Sequence, residues 1–139
     1  MDITADGLVV EDASGNAVKL TAISVAPAMT ASGVNGLDTG AIVNNTITWY
    51  SAIVIYNPTT NTVAGLYSLQ SACQSATLPA GYTFCARVGW VRTDGAATAR
   101  WMRQIQFGRR AQYVVVAATN TPNLPAIATG SADVGTAPA

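Results

Sequence analysis

The chain has 139 residues, of which 50% are apolar and 10% are charged, and its formal net charge is zero. A chain of this length holds one domain with its own hydrophobic core, so we expect it to fold without help from a metal ion or a disulfide, and we expect no cofactor. The low charge favours surfaces that pack against other chains, and a neutral protein has no general attraction for nucleic acid or for a membrane.

Histidine is absent from the sequence. This removes Ser-His and Cys-His nucleophile pairs, histidine zinc sites and the usual pH switch, so most hydrolase mechanisms are excluded and we expect no metal site. The start, "MDITADGLVV", is acidic and lacks the apolar centre of an export signal. No apolar run reaches the length that spans a membrane, and we therefore expect no membrane partner.

The two cysteines, Cys73 and Cys85, are twelve residues apart. They can close a small loop if their strands are adjacent, or remain two buried thiols in a reducing cytosol. Without an export signal, we favour the two free thiols. Neither cysteine has metal-ligand spacing.

In chain order, the first predicted element is a small hairpin, "LVVEDASGNAVKLTAISV". A strand follows over residues 45–57, "NTITWYSAIVIYN", with a turn at 57–61 and a return strand, "TVAGLYSL". Residues of the first of these strands are apolar on both faces, which indicates a central strand that is covered twice.

Residues 71–84 contain Leu-Pro and Gly and are predicted to be a connection. The segment "FCARVGWVRTDG" then predicts a second hairpin, which turns at Asp94-Gly95 and returns as "TARWMRQIQFG". Gly108 marks a bend before a further strand, "RRAQYVVVA".

Short strands separated by turns, without a helical pattern, predict an all-β fold: an antiparallel β-sandwich or barrel over residues 1–118. Residues 119–139 are predicted to be an extended tail or linker. The predicted core comprises Trp49, Ile53, Ile55, Leu66, Leu69, Val88, Trp90, Ile105 and Tyr113.

The charges are segregated, with acidic residues dominating the first 38 positions and arginines dominating positions 87–110. Arginine forms forked pairs with carboxylates, so the cluster can join subunits, although it can equally be a solvated strand face. The predicted interface residues are Arg100, Arg103, Arg109, Arg110 and Asp38. Nucleic-acid binding by Arg109 and Arg110 beside Tyr113 is a weaker alternative, because the net charge is neutral.

Aromatic side chains with polar neighbours can stack on sugars. The candidate glycan platform comprises Trp49, Trp101 and Tyr82. The alternative is that the dispersed tryptophans belong to a core or an interface.

The stretch "GLDTG" at 36–40 is similar to the catalytic loop of retroviral-type aspartic proteases, in which two chains each donate one Asp-Thr-Gly carboxylate. That similarity covers little beyond "LDTGA", and the segment "SGVNGLDTG" is rich in turn formers. Protease activity through Asp38, Thr39 and Gly40 is therefore kept as an alternative to a loop carboxylate that pairs with an arginine.

A broader pattern runs through the chain in a specific order: Gly-Leu-Asp-Thr-Gly, Thr-x-Trp-Tyr, Leu-Pro-x-Gly-Tyr and Arg-x-Gly-x-Val-Arg-Thr-Asp. Over residues 3–116, the sequence resembles a domain of tail-fibre and other tail-associated proteins of bacteriophages and prophages. The resemblance implies a virion component that is assembled in the host cytoplasm, forms homo-oligomeric fibres and has no catalytic activity.

We therefore expect a virion structural protein that assembles with itself, as a trimer, and attaches to other virion proteins. A receptor-binding module that holds host surface glycan is the alternative. Coiled-coil heptads and shaft repeats are absent from the sequence, so a short fibre, a head-decoration or head-fibre protein, and one domain of a longer protein all remain open.

Overall fold

The computed structural model describes residues 2–102 and the backbone of residues 104–107 and 110–113. These ranges contain no α-helix, which confirms the predicted all-β class. The strands are β1 Ile3–Glu11, β2 Ala17–Val25, β3 Gly36–Leu37, β4 Trp49–Asn57, β5 Thr62–Ser68, β6 Phe84–Arg92, β7 Gln104–Phe107 and β8 Arg110–Tyr113, with a short 3-10 turn at Cys73–Ser75.

The chain divides into two compact units, residues 1–101 and 102–139. The first unit contains a six-stranded sheet with the strand order β2-β1-β6-β4-β5-β3, in which β3 is parallel to β5 and the other pairs are antiparallel. β2 and β3 are the two edges, so the sheet is not closed into a barrel. The predicted border between residues 118 and 119 lies outside the described residues.

β4 is the central strand, as predicted. Its residues 50–55 are all buried, because alternate side chains enter two different hydrophobic clusters. Ala52 and Val54 belong to the cluster on one face, here called the inner face. Ile53 and Ile55 belong to the cluster on the opposite face, here called the outer face.

The β1–β2 hairpin covers the inner face. The hairpin pairs with the rest of the sheet at one position, Glu11 opposite Cys85. Val10 and Ile23 nevertheless share one buried cluster with Val54 and other inner-face residues of β4 to β6. The hairpin therefore lies across the inner face as a second layer, which gives the sandwich-like packing that the sequence predicts.

The turn of this hairpin is held by an aspartate, which explains why the hairpin is evident from the sequence. The Asp12 carboxylate accepts hydrogen bonds from the backbone N–H groups of Ser14 and Asn16, at 2.9 and 2.8 Å. Gly15 supplies the left-handed backbone that the turn requires, with φ of 83°. Turn chemistry of this kind involves neighbouring residues only.

The outer face is partly covered by the connection between β5 and β6. Ala76, Leu78 and Tyr82 from this connection pack against the outer-face cluster. Cys73 and Cys85 form a disulfide with Cα atoms 5.9 Å apart, so the prediction of two free thiols is wrong. Free thiols were predicted from the expected cellular compartment. The disulfide forms because the connection after β5 folds back over β6 and brings Cys73 next to Cys85.

The predicted core is confirmed at its centre and wrong at its margin. Ile53, Ile55 and Leu66 are fully buried. Trp49 and Leu69 are 45% and 56% exposed, because they lie at and beyond the ends of β4 and β5. The other members are half-buried (Val88, Trp90) or have side chains outside the described residues (Ile105, Tyr113).

The chain turns at Asp94-Gly95 as predicted, but through a wider loop than a tight Asp-Gly hairpin turn. β6 ends at Arg92, and the chain returns through a longer loop to a single bridge between Thr93 and Trp101. The Asp94 carboxylate accepts hydrogen bonds from the N–H groups of Ala96 and Arg100, both at 3.1 Å, and these bonds shape the wider loop.

The second unit contains the described strands β7 and β8, which pair antiparallel with each other. The expected strand after Gly108 is thus confirmed over residues 110–113. The chain from Thr119 onward lies outside the described residues. Across the ranges given above, no helix is long and apolar enough to cross a membrane.

Candidate interaction surface

Two tryptophans and two arginines lie together on the outer face, at the end of the sheet where β4 begins and β6 ends. We call Trp49, Arg87, Trp90 and Arg92 the Arg-Trp surface, in which Trp49 and Arg87 are exposed, Trp90 is half-buried and Arg92 is buried. Trp49 is directly opposite Arg92, Trp90 is opposite Ser51, and Arg87 is opposite Ile53. Residues that are directly opposite in a sheet point to the same side, so all four point the same way as Ile53.

A β-bulge produces this arrangement. The pairing of β4 with β6 shifts between Ala52 and Ile53, which leaves Val88 as an extra residue in β6. Val88 packs against the inner-face cluster. Arg87 and Trp90 therefore share the outer face although they are three residues apart, a spacing that regular alternation would place on opposite faces.

The arginines stack on the tryptophans. The guanidinium carbon of Arg87 lies 5.0 Å from the ring centre of Trp90, and that of Arg92 lies 5.9 Å from the ring centre of Trp49. Both distances are within the range of a cation–π interaction. Arg87 also donates a hydrogen bond from Nη1 to the carbonyl of Ser71, which ties the connection after β5 to β6.

Exposed apolar side chains occur at the same end of the sheet. Ile47, which precedes β4, is 37% exposed, and Leu69, which follows β5, is 56% exposed. β5 ends beside the start of β4, since Ser68 is paired with Ser51. This end of the sheet therefore combines aromatic, aliphatic and cationic groups, which is typical of the central part of a protein interface.

The backbone around the surface is fixed by buried hydroxyl groups. Ser51 Oγ donates to the carbonyl of Gln70 at 2.8 Å and contacts that of Ser68 at 3.2 Å. Thr93 Oγ1 accepts a hydrogen bond from the N–H of Thr48 at 2.9 Å and donates to the carbonyl of Thr46 at 3.0 Å. The segments on both sides of the surface are thus held by long-range bonds.

Asp38 is bonded within its own domain. Its carboxylate accepts hydrogen bonds from Ser68 Oγ at 2.6 Å, from the Thr39 N–H at 2.8 Å and from the Thr77 N–H at 3.3 Å. Within residues 2–102 it forms no ion pair with an arginine. Asp38 thereby joins the loop after β3 to the end of β5 and to the connection that follows it.

The predicted interface arginines are placed as follows. The Arg100 side chain is 68% exposed and forms an ion pair with Asp94, with Nε and Oδ2 3.0 Å apart. Arg110 begins β8 in the second unit, and its side chain is outside the described residues, as are Arg103 and Arg109.

The three candidate glycan-stacking residues do not form one patch. Trp101 packs on the inner-face side, with its ring centre 5.5 Å from that of Tyr50 and 4.7 Å from that of Tyr67. Tyr82 packs against the outer-face cluster and accepts a hydrogen bond from Thr62 at 3.3 Å, at the far end of β4 from Trp49.

Sequence reasoning did not single out Arg87, Trp90 and Arg92 as one site. The segment "RVGWVR" carries a signal, because it alternates cations with aromatic and aliphatic residues, but only the bulge brings the three side chains to one face. No cluster of His, Cys, Asp or Glu in the described part of the chain could hold a metal ion.

Comparisons with protein-family models, with curated proteins and with solved structures find no match to this chain.

Proposed function

We propose that this chain is a non-enzymatic structural protein of a bacteriophage virion, in a tail fibre or another tail-associated part. In this proposal the protein assembles with itself, as a trimer, and attaches to other virion proteins. A head-decoration or head-fibre protein would also have to assemble with itself and attach to other virion proteins. The order of motifs in the sequence provides the link to virion proteins.

One observation carries the proposal: side chains of the sequence motifs form hydrogen bonds within the domain. Asp38 of Gly-Leu-Asp-Thr-Gly bonds to Ser68, thirty residues away. Thr93 and Asp94, which end the Arg-x-Gly-x-Val-Arg-Thr-Asp motif, fix the segment before β4 and the loop after β6. Polar groups that hold loops in place support a structural module.

The Leu-Pro-x-Gly-Tyr motif has a similar role. The N–H of Tyr82 donates to the carbonyl of Pro79 at 3.0 Å, which closes a turn. Gly81 has a φ of 84°, and a Cβ at this position would lie 2.6 Å from Nδ2 of Asn57. The backbone conformation therefore favours glycine here, and a Cβ would in addition displace the side-chain amide of Asn57.

Self-assembly is supported by the exposed apolar side chains around Trp49 and by the low charge of the chain. Burial of apolar area between subunits contributes about 25 cal/mol per Å2, from which the cost of association is subtracted. A large interface is thus required, and the end of the sheet around Ile47, Trp49 and Leu69 offers part of it.

The mass of the purified protein, measured by light scattering across a dilution series, tests this proposal. We expect a constitutive trimer. The Arg100→Ala/Arg103→Ala variant, measured alongside, reports whether the predicted interface arginines hold the subunits together. A stable monomer at micromolar concentration would contradict the proposal.

Glycan binding is a second candidate function, favoured by one observation. Trp49 keeps 45% of its surface exposed while it stacks on Arg92, and an exposed indole is a good platform for a sugar ring. A glycan array with the wild type and with Trp49→Ala tests this function. Binding that is lost in Trp49→Ala and retained in Trp101→Phe would support it, and an array without any signal would exclude it for the glycans displayed.

The Asp-Thr-Gly loop is tested separately by a peptide-cleavage assay with the wild type and Asp38→Asn. We expect no cleavage by either protein, because the Asp38 carboxylate is bonded to Ser68, Thr39 and Thr77. Cleavage by the wild type that is lost in Asp38→Asn would contradict the non-enzymatic proposal.

A further inference from the structure

We propose that the disulfide between Cys73 and Cys85 is a reducible latch on the outer face. When a dithiol reductant opens it, residues 71–75, here called the latch segment, leave β6 and release Arg87 of the Arg-Trp surface. When the disulfide forms again, the segment and Arg87 return to the positions described above. The inference goes beyond the proposed function, because it concerns how this surface is controlled and not what binds to it.

The disulfide is the main anchor of the latch segment. Cys73 is half-buried and packs against the outer-face cluster, whereas the other residues of the segment are exposed. The 3-10 turn Cys73–Ser75 contains no fully buried residue, and its N-cap, Ala72, makes no side-chain hydrogen bond. A segment with so little buried surface opens locally at low cost once its crosslink is removed.

Two side-chain hydrogen bonds also hold the segment, and both lie at the surface. Arg87 Nη1 donates to the carbonyl of Ser71, and Gln74 Nε2 donates to the carbonyl of Glu11 at 2.7 Å. Both donor residues are exposed, so water replaces the protein acceptors when the segment moves away. These bonds position the segment but contribute little against its opening.

Both ends of the segment are fixed, so the opening is confined to it. Before the segment, the carbonyl of Gln70 accepts a hydrogen bond from the buried Ser51 hydroxyl at 2.8 Å. After the segment, Ala76 is buried in the outer-face cluster and Leu78 packs against the same cluster. Loss of the crosslink therefore frees residues 71–75 and leaves the rest of the connection over the outer face.

Thiol–disulfide exchange opens the latch at Cys73. Cys85 is 2% exposed and Cys73 is half-buried, so a thiolate of the dithiol reaches the Cys73 sulfur first. The S–S bond breaks, a mixed disulfide forms on Cys73, and Cys85 leaves as a thiolate. The second thiolate of the dithiol then attacks the reductant's own sulfur and releases Cys73. The dithiol is oxidised to a disulfide, and its two protons pass to the two cysteine thiolates.

The latch acts on the Arg-Trp surface through Arg87. In the closed state, the guanidinium carbon lies 5.0 Å from the Trp90 ring centre while Nη1 is bonded to Ser71. Opening removes the Ser71 carbonyl, so this donor becomes available to water or to a ligand. If the chain assembles in a host cytoplasm, as proposed above, the latch is open during assembly and closes in the oxidising medium outside the cell.

Hydrogen exchange of the full chain, oxidised and after incubation with dithiothreitol, tests the latch. In the closed state, the N–H of Ser75 bonds to the carbonyl of Ala72 at 3.0 Å. Reduction is expected to speed exchange in peptides that cover residues 71–76 at least about tenfold. Residues 50–55 of β4 are buried, and we expect them to stay unexchanged over the same times in both forms.

A variant and a second readout make the test specific. In Cys73→Ala/Cys85→Ala, exchange over residues 71–76 should be fast both with and without dithiothreitol. In the wild type, reduction should shift the indole N–H resonance of Trp90, which lies beside Arg87. The resonance of Trp101, on the inner-face side, should stay in place and is the internal control.

Three results would overturn the latch, once thiol titration shows that the disulfide is reduced. Unchanged exchange over residues 71–76 would show that other contacts hold the segment. Equal acceleration in residues 50–55 would show that the disulfide stabilises the whole domain and not one segment. An unshifted Trp90 resonance would show that Arg87 is not controlled. None of these results depends on the mass of the assembly, so the proposed self-assembly is tested separately.

Discussion

The inner and outer faces of the central sheet are covered in different ways. On the inner face, a complete hairpin contributes Ile3, Val10, Leu20 and Ile23 to a continuous cluster. On the outer face, a connection tethered by the disulfide covers one end of β4, and the Arg-Trp surface occupies the other end. On the outer side of β4, Ser51, Ile53 and Ile55 are also fully buried, whereas Trp49, at the start of the strand, is 45% exposed.

The two faces therefore differ in what they contribute to the stability of the fold and to binding. A sealed apolar face gains stability from burial within the chain. The outer face also buries Ile53, Ile55 and Leu66, but at its Arg-Trp end Trp49 and Arg87 stay exposed and leave area for a partner. Substitutions of buried residues on either face should therefore lower stability, whereas substitution of the exposed Trp49 should change it little, and the following predictions test this in order of decreasing effect.

Tyr50 and Trp49 are adjacent aromatic residues on opposite faces. Tyr50 is 2% exposed, and its hydroxyl accepts a hydrogen bond from the Val43 N–H at 3.0 Å. Tyr50→Ala should lower the free energy of unfolding by about 3–5 kcal/mol, as expected for loss of a buried aromatic side chain. Trp49→Ala should cost less than about 1 kcal/mol, as for an exposed site. Urea denaturation measures both, and equal losses would contradict the comparison.

The disulfide should stabilise the cover of the outer face. The double substitution Cys73→Ala/Cys85→Ala should lower the free energy of unfolding by about 2–4 kcal/mol, because the crosslink restricts the unfolded chain. A reductant should have a similar effect on the wild type and none on the double variant. Wild-type stability that is insensitive to reductant would argue against the bond.

Gly65 tests the packing of the inner face. A Cβ at this position would lie 2.6 Å from Cγ of the buried Pro27. Gly65→Ala should therefore cost about 1–3 kcal/mol through overpacking. Gly7→Ala is the matched control, because a Cβ there meets its nearest atom at 3.8 Å, an ordinary contact. Similar denaturation midpoints for the two variants would show that Pro27 moves aside easily.

Asp94, in the loop after β6, should make stability depend on acid pH. Burial raises the pKa of its carboxyl, but the hydrogen bonds from Ala96 and Arg100 outweigh burial and lower the pKa overall. A carboxyl with a lowered pKa in the folded state stabilises the fold above its unfolded pKa, and this contribution disappears as the pH falls through the folded pKa.

We therefore expect Asp94→Asn to reduce the loss of stability below about pH 4, by less than about 1 kcal/mol because the ion pair is near the surface. Chemical denaturation at several pH values measures this dependence. An unchanged acid dependence in Asp94→Asn would assign it to other carboxyls, such as Asp12, whose pKa is lowered by hydrogen bonds from Asn16.

Substitution of Tyr67 should have the smallest effect on stability near neutral pH. Its hydroxyl is buried on the inner-face side without a hydrogen-bond partner among the described residues, and burial, with a contribution from Asp2, raises its pKa to about 12. Tyr67→Phe should therefore be neutral or slightly stabilising at pH 7, since it removes an unsatisfied polar group.

Above pH 10 the unfolded tyrosine loses its proton before the folded one, so wild-type stability should fall between about pH 10 and pH 12. The loss should be smaller in Tyr67→Phe, as followed by alkaline denaturation. A phenylalanine variant that is less stable at pH 7 would indicate a hydrogen bond of the Tyr67 hydroxyl.

The all-β class, the two N-terminal hairpins and the central position of β4 were predictable from local patterns. Alternation of apolar residues defines strands, and the Asp12 turn and the turn after Asn57 use the side chains of near neighbours. Burial of residues 50–55 follows from apolar residues on both faces of one strand. Such features depend on residues that are close in sequence, so the sequence by itself determined them.

The candidate site was decided by the tertiary structure. Exposure of Trp49, the shared face of Arg87 and Trp90, and the disulfide all depend on strand order, on register and on a one-residue bulge. The bond between Asp38 and Ser68 likewise joins residues thirty positions apart. These contacts arise from long-range pairing, and a shift of one residue in a strand moves each side chain to the opposite face. Local sequence patterns do not carry that information.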